Sequence, residues 1–578
     1  MPEKTGTVVD LLLERGAAEP DRTAVVLSDG RRVSYGELVQ RVFETAEQLP
    51  GKGLGMSSRI GLWFLEGEWI DYAVGYFAAL LNGSVAVVLP TDSDRRGIRR
   101  ICRDLGIDHV LSAAARPFGS AEVQDVPVAG PATGAVRGGR PVAPLDPARL
   151  ADVVFTSGST GTPKGVAASH EALAGIADGY RARSGGAAVV AHGVSHATAV
   201  GTRQLLLSAV ARGSTLVACV PFEARSFLAA AAAESAATAV LPAAAARSVA
   251  RALEDDPALR PAGLRTLRFM SDHLPAELHL ALAALLPGTR VVNTYGLTEA
   301  GDAHLVTTQQ DCGLGPGGFP APGTEVGIMS ASGDWLERGE EGYLCIRDRL
   351  PALGYLTDPM AAARTWRDGW TVTGDLALID GTGRVRIKGR SRGLARVGGR
   401  TVSVSEVKAA LETLPGVEAA AVVVLPHPTL GQSLAAVVEG PADAPAEDVK
   451  AALAGVLPAH AVPSPVVRVE QLPRSRTGKP HQDAITALVR RRMSASSRPC
   501  RTATEVLVGS VWSGVLELDG APGADADFFQ LGGDSMAAVE VLAELEGRLG
   551  VDIPLDLLFT RSSVGELARE LDRLRAGR

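Results

Sequence analysis

The chain has 578 residues, of which 46% are hydrophobic and 21% charged, and a formal net charge of -7 at pH 7. At about 150 residues per domain this length calls for several units, and the balance excludes a disordered or collagen-like chain. The acidic charge offers no general field for nucleic acid, and five scattered cysteines without a CxxC pair point to neither a disulfide framework nor a zinc site.

In chain order, the periodicity predicts a helix over Val8–Arg15, a strand over Thr23–Val26, a helix over Ser34–Gln48, a strand over Arg59–Phe64, a helix over Trp69–Leu81 and a strand over Ser84–Leu89, stopped by Pro90. Such alternation predicts a layered α/β unit. Gly, Pro and Ala dominate residues 115–150, which read as a connecting loop before the strand Val153–Thr156. The longest apolar run, Phe227–Ala246, holds Glu234 and Pro242 and reads as buried helix rather than a membrane span. The first residues lack the basic-then-apolar order of a secretory signal, and with the cysteine usage this gives the expectation of a cytoplasmic protein away from membranes. Near Gly389 a small α+β unit begins, with a helix over Ser405–Leu414 and a strand over Ala419–Leu425. The basic, Ser-rich stretch 490–502 reads as a linker. Beyond it, helical patterns over Thr502–Leu518, from Ser535 and from Ser562 predict a small helical bundle. The expected boundaries are a large unit 1–390, a small unit 391–490, a linker 491–502 and the bundle 503–578.

Directly after the strand ending at Phe155 comes Thr156-Ser157-Gly158-Ser159-Thr160-Gly161-Thr162-Pro163-Lys164-Gly165. Glycines allow close backbone approach, hydroxyl and amide donors meet phosphate oxygens, and the lysine adds a point charge. Lysine stands at only seven positions (4, 52, 164, 388, 408, 450 and 479), so each is informative. The spacing is not that of a Walker loop, which sets aside a kinase-like or GTPase reading. The plain alternative for such a cluster is a surface turn.

Further motifs follow in order around this loop: Val33-Ser34-Tyr35-Gly36-Glu37-Leu38 before it, then Asn293-Thr294-Tyr295-Gly296-Leu297-Thr298-Glu299, Gly342-Tyr343-Leu344-Cys345-Ile346, Thr373-Gly374-Asp375, Gly389-Arg390 and Thr477-Gly478-Lys479. Together they resemble the adenylate-forming enzymes, which include peptide-synthetase adenylation domains, acyl- and aryl-CoA ligases and luciferases. The resemblance implies ATP and Mg²⁺ as requirements. Phosphate would be held by the loop residues Thr156, Ser157, Gly158, Ser159, Thr160, Gly161 and Lys164. Glu299 would ligate Mg²⁺, a hard cation that takes carboxylate and phosphate oxygens. Thr298 would bond phosphate, Tyr295, between Thr294 and Gly296, would stack on adenine, and Asp375 with Arg390 would hold the ribose. Lys479 would bridge the carboxylate and the α-phosphate, and the small unit would be mobile, pivoting at Arg392, where relatives carry Asp or Lys. Taken singly, Tyr295, Thr298 and Asp375 read equally as turn and core residues.

The last block contains Asp527-Phe528-Phe529-Gln530-Leu531-Gly532-Gly533-Asp534-Ser535-Met536. It resembles the attachment motif of peptidyl carrier domains, which implies a four-helix bundle for this block and 4′-phosphopantetheine on Ser535, placed by a phosphopantetheinyl transferase. As a plain reading, Ser535 is a helix N-cap, which is compatible. The whole resembles an adenylation and carrier pair of non-ribosomal peptide synthesis, feeding downstream synthetase or tailoring enzymes. No HHxxxDG condensation motif occurs. The alternatives are a ligase acylating free coenzyme A and a catalytically silent carrier scaffold.

In relatives that activate α-amino acids, an aspartate thirteen residues before the Gly-Ser-Thr-Leu glycine pairs with the substrate ammonium. Counting back from Gly213 reaches Val200, with Gly201, Arg203 and Gln204 nearby and no carboxylate between His192 and Gly213. The expected substrate is therefore an acid without an α-amine, or an amino acid whose amine lies elsewhere. Asp302 is a candidate partner for a displaced amine and reads equally as a solvent-facing turn aspartate; Arg203, His196 and His273 are candidates for an acidic or hydroxylated side chain, although lone histidines are more often satisfied structural residues.

Overall fold

The segment Trp69–Leu81 is apolar on nearly every face, which obliges a helix there to lie between two layers. In the computed structural model it does: Trp69, Tyr72, Tyr76 and Phe77 are fully buried in a core shared by two sheets. The structure describes residues 7–91, 95–113, 123–130, 146–156, 164–183, 187–301, 304–347, 352–356, 358–390, 394–397, 400–427, 431–440, 461–474, 480–495, 499–516, 520–524, 535–554, 557–561 and 563–576, with a few isolated residues between them. The chain divides into two compact units, the first ending at Ile387 and the second beginning at Lys388.

The first unit holds a 14-stranded and a seven-stranded sheet. The centre of the large sheet is parallel, in the spatial order Arg290–Gly296, Thr266–Met270, Thr238–Pro242, Val189–His192, Thr215–Ala218, Thr23–Leu27. The smaller sheet runs Gln124–Pro127, His109–Ser112, Arg59–Leu62, Val85–Val88, Leu150–Thr156, all parallel, then Lys164–Ser169 and Gly354–Tyr355 antiparallel. Parallel strands end at one edge, and ligands of α/β sheets bind at that carboxyl edge. Helices Val8–Ala18, Tyr35–Gln48 and Trp69–Leu81 contribute to the core between the sheets. Outside the large sheet, a second core gathers the helices Ala224–Ala233, Ala246–Asp255 and Ala276–Leu285. Within the Val33–Leu38 motif, the buried Tyr35 hydroxyl donates to the carbonyls of Ala209 (3.0 Å) and Ser214 (2.6 Å), and Ser34 caps the helix that follows. This is the layered α/β unit expected.

Two readings of this unit are corrected. Phe227–Ala246 is not one helix: the helix stops at Ala233, Ser235 turns with φ +52°, and Thr238–Pro242 is an interior strand. A strand covered on both faces reads as a continuous apolar run, which alanine makes indistinguishable from helix. The stretch 115–150 contains a parallel edge strand, Gln124–Pro127, paired with His109–Ser112.

The second unit begins with a five-stranded sheet built on the hairpin Ala419–His427 and Gly431–Glu439, with helices Val404–Glu412 and Gln482–Ala495. The latter helix corrects the linker: Ile485 and Val489 are buried and Met493 packs with them, a helical stripe that continues past residue 491. Residues 496–498 lie outside those described. Helices Ala503–Val515, Ser535–Leu549, Leu557–Thr560 and Val564–Ala576 then enclose a core of their own around Trp512 and Phe528, whose rings are 5.0 Å apart. Thr502 and Glu505 close the first of these helices with reciprocal side-chain caps.

None of the five cysteines is in a disulfide; Cys102, Cys219, Cys312 and Cys345 are buried and Cys500 is half-buried. Among the described residues no helix is long and apolar enough to cross a membrane.

Candidate active site

Strands Leu150–Thr156 and Lys164–Ser169 form an antiparallel pair in which Thr156 stands opposite Lys164. The Gly/Ser/Thr segment between them, with Ser157, Gly158, Ser159, Thr160 and Gly161, lies outside the described residues. Lys164 does not point away into solvent: its Nζ is 3.3 Å from Asp358 and 4.9 Å from the centre of the Tyr355 ring. Asp358 caps the helix Pro359–Thr365, and the Ala361 N–H, then Lys164, hold its carboxyl below the usual range.

Tyr355, which the sequence reading missed, connects the loop hairpin to Glu299. It sits in the two-residue strand Gly354–Tyr355 along the edge of Lys164–Ser169, opposite Val166. Its hydroxyl donates to Glu299 Oε1 at 2.8 Å, and its ring packs on Trp366 with centres 4.8 Å apart. Trp366 Nε1 in turn donates to the Glu299 carbonyl at 3.1 Å. Thr298 and Glu299 occupy the 3₁₀ turn that follows the strand Arg290–Gly296, at the carboxyl edge of the large sheet. The only signal for Tyr355 in the sequence was a Gly-Tyr pair in a loop, which names no partner.

Tyr295 and Asp375 come together: the tyrosine hydroxyl donates to Asp375 Oδ2. Asp375 follows Gly374, whose φ of +76° lies where the strands Gly342–Arg347 and Trp370–Ile379 lose register, so the bulge turns the chain at this position. Thr294 is buried, with its hydroxyl donating to the Phe269 carbonyl at 3.1 Å, which commits that side chain to the sheet. Gly296 ends its strand. For Arg390 only the backbone is described, at the end of the strand Val385–Arg390. Arg392, Asp302 and Lys479 lie outside the described residues, and of Ser535 the backbone alone is described, as the first residue of its helix.

The candidates for the acid pocket separate into two groups. Val200 and Gln204 are half-buried, while Gly201, His196 and Arg203 are buried. Arg203 is corrected as a substrate contact: its fork is spent on Asp152 and the Val166 carbonyl. His196 is corrected likewise. It is enclosed by Tyr72, Trp69 and Phe64, and burial lowers its pKa to about 3, as it does for His192 beside Trp69. Both imidazoles are therefore neutral at ordinary pH. His273 is half-buried in a loop anchored by Asn293, whose side chain bonds the Leu274 N–H and the Asp272 carbonyl.

Fold and site together define an enzyme of the AMP-binding kind followed by a carrier. The model of the AMP-binding enzyme family matches residues 12–356, that of its C-terminal domain residues 406–479, and that of the phosphopantetheine attachment site residues 507–571. The chain belongs to the AMP-binding enzyme family. It is similar to an isonitrile lipopeptide synthase of Streptomyces coeruleorubidus, 30% identical over 99% of this chain and 40% of that protein. It is also similar to a feruloyl-CoA synthase of Amycolatopsis, 29% identical over 81% of this chain and 96% of that protein. Among solved structures, the anthranilate CoA ligase AuaEII in complex with anthranoyl-AMP superposes with a TM-score of 0.73 over 84% of this chain and 97% of that one; at 21% identity this likeness speaks for the fold. The chain spans 7% to 49% of the first multidomain synthetases it matches.

The donor set fits Mg²⁺. Among the described residues no group of three acidic, His or Cys side chains forms a protein cage. Two carboxylates border Lys164 and Tyr355, Asp358 on the lysine and Glu299 on the tyrosine hydroxyl, which suits an ion that takes one or two carboxylates and completes its shell with nucleotide phosphates.

Proposed function

We propose that the chain activates a carboxylic acid with ATP and loads it onto its own carrier. The observation that supports this reading best is the convergence, within one unit, of Tyr295 with Asp375 and of Lys164 with Tyr355 and Glu299, on a chain that also carries the helix opened by Ser535. In the first half-reaction a carboxylate oxygen of the acid attacks the α-phosphorus of ATP, and the bond to the bridging oxygen breaks to release pyrophosphate, leaving acyl-AMP. The residues of this chain position and neutralise. Tyr295 presents a ring for adenine while its hydroxyl fixes Asp375 for the ribose, and Lys164 with the loop after Thr156 meets the phosphates. Glu299 would hold Mg²⁺, whose contribution is to offset phosphate charge. Lys479 brings a mobile point charge to the α-phosphate as charge develops there, with Arg390 beside the ribose. In the second half-reaction the 4′-phosphopantetheine arm on Ser535 supplies the thiol that takes the acyl group as a thioester, and AMP leaves. A pivot at Arg392 would let the small unit, 391–490, serve both steps.

The acid is read as non-standard, because Val200 stands at the counted aspartate position; of the four charged or titratable pocket candidates, Arg203 and His196 are buried among other partners, and His273 and Asp302 remain. Asp302 remains the candidate partner for a displaced amine. The partners are a phosphopantetheinyl transferase and downstream synthetase or tailoring enzymes, in the setting of secondary-metabolite biosynthesis in the cytoplasm. A second reading, acylation of free coenzyme A, is favoured by the likeness to a feruloyl-CoA synthase over nearly its whole length.

Pyrophosphate exchange across standard amino acids, aryl, hydroxy and keto acids and β-amino acids tests the first half-reaction. Lys479→Ala is expected to lower it by roughly 10² to 10³, the loss seen on removing one preorganised oxyanion donor. Intact-mass measurement is expected to show one pantetheine arm, then one acyl group, both absent in Ser535→Ala. Exchange at wild-type rate in the lysine variant sinks its assignment, and acyl-CoA formation that persists in Ser535→Ala favours the second reading.

A further inference from the structure

Asp152, in the strand Leu150–Thr156, and Arg203, in a π-helical segment Val200–Leu206, form an ion pair with no exposed part on the acid and almost none on the base. Arg203 Nη2 donates to Asp152 Oδ1 at 2.6 Å and to the Val166 carbonyl at 2.8 Å, and its Nε lies 3.2 and 3.3 Å from the two carboxylate oxygens. The Tyr76 hydroxyl donates to Asp152 Oδ2 at 3.0 Å. Buried pairs of this kind add little net stability over apolar residues of similar volume, so their use is sought in geometry. A guanidinium fork reads several acceptors at fixed angles, and here the acceptors belong to both strands of one hairpin.

That hairpin carries Thr156 and Lys164 on either side of the phosphate loop, four residues beyond Asp152 and two before Val166. On the other side, Arg203 follows Thr202, whose hydroxyl donates to the His196 carbonyl at 2.7 Å and shares a hydrogen bond with Tyr72. Gly201 packs so closely that a Cβ there would stand 2.2 Å from the Ser195 carbonyl oxygen. The segment 195–203 is thus tied together by its own contacts, with half-buried Val200 in it and Gln204 just beyond. π-helical turns are rare and recur at functional sites.

We propose that Arg203 is a positioning residue: it fixes the acid-pocket helix to the hairpin of the phosphate loop, so that acid and nucleotide bind with mutual dependence. The proposal rests on the adenylation reading for its acid half, while its nucleotide half depends only on the loop hairpin. The arrangement turns a shift of the hairpin, when phosphates enter, into a shift of the wall that faces the acid.

The experiment uses the full chain and Arg203→Lys, which keeps a charge but replaces the planar fork with a single donor. Calorimetric binding of Mg²⁺-ATP alone is expected to weaken by about tenfold, since misplacements near 1 Å remote from the chemistry cost up to 10²-fold. Pyrophosphate exchange, with acid and ATP varied against each other well below the variant's own unfolding midpoint, is expected to show that each substrate lowers the KM of the other in the wild type and that this dependence is lost in the variant. Unaltered ATP affinity and unaltered mutual dependence in a folded variant overturn the proposal. If Arg203→Lys does not fold, Tyr76→Phe, which removes one hydrogen bond to Asp152, is expected to move both quantities the same way by a few-fold; no movement there also overturns it. Failure of every acid to support exchange in the wild type counts against the adenylation reading, and the ATP-binding arm still decides the role of the fork.

Discussion

His192 and His196 lie fully inside the first unit, and burial lowers each pKa to about 3 against about 6.5 in an unfolded chain. Above pH 6.5 both folded and unfolded forms carry neutral rings, so their contribution to stability is complete. Below it the unfolded chain takes up protons that the folded one refuses, and stability falls as pH drops from 6.5 towards 3. Each ring contributes a slope of about 1.4 kcal/mol per pH unit in that window. His196→Gln, which keeps a polar side chain of similar reach, is expected to reduce the loss between pH 6.5 and 5 in denaturant titrations of the first unit; an unaltered pH slope contradicts the assignment. The sequence left His196 open between a pocket contact and a structural ring, and gave His192 no role. Whether such a ring faces a ligand or the core depends on Trp69, Tyr72 and Phe64, more than a hundred residues away, which no local pattern reveals.

At the scale of elements, the two-residue strand Gly354–Tyr355 decides more than its length promises. Its pairing with Lys164–Ser169 places Tyr355 between Lys164 and Glu299. Tyr355→Phe keeps the ring under the lysine and removes the hydrogen bond to the carboxylate, a contact of the kind that contributes about 1.5 to 3 kcal/mol when one partner is charged. The expected outcome is a fall of about tenfold in pyrophosphate exchange, with more Mg²⁺ needed for half-maximal rate; an unchanged Mg²⁺ profile removes Tyr355 from the site. The amphipathic helix Tyr35–Gln48 was legible in the sequence because a repeating stripe survives the absence of tertiary information, and Trp69–Leu81 because an apolar run of that length is too long for a strand. The interior strand Thr238–Pro242 was not, since both its faces are covered and no alternation remains. The π-helical turn at Val200–Leu206 has no signature of composition at all. It also changes which side chains of the segment face outward, so a count of thirteen residues along the chain from Gly213 identifies a position and not a direction.

Across the whole molecule, the nucleotide-binding candidates Lys164, Tyr295, Glu299 and Asp375 lie in the first unit, while Trp512 lies in the carrier core in the second. A ligand that binds only the folded form stabilises it by mass action, by about 2.7 kcal/mol at a hundredfold excess over Kd. Calorimetric thermal scans with Mg²⁺-ATP are therefore expected to raise the transition of the first unit and leave that of the carrier in place; a shift confined to the carrier puts the nucleotide elsewhere. The burial of the cysteines bears on a different matter, the chemoselectivity of the whole machine. An acyl-adenylate acylates any accessible thiolate, and thiolates form readily only where water or a cation supports the charge. Burial pushes the thiols of Cys102, Cys219 and Cys345 up to about 11, raises that of Cys312 as well, and leaves Cys500 half-buried against the Pro522 carbonyl. If the chain activates an acid as proposed, the four buried thiols would not compete with a pantetheine thiol for the acyl group, and only Cys500 would be within reach of it.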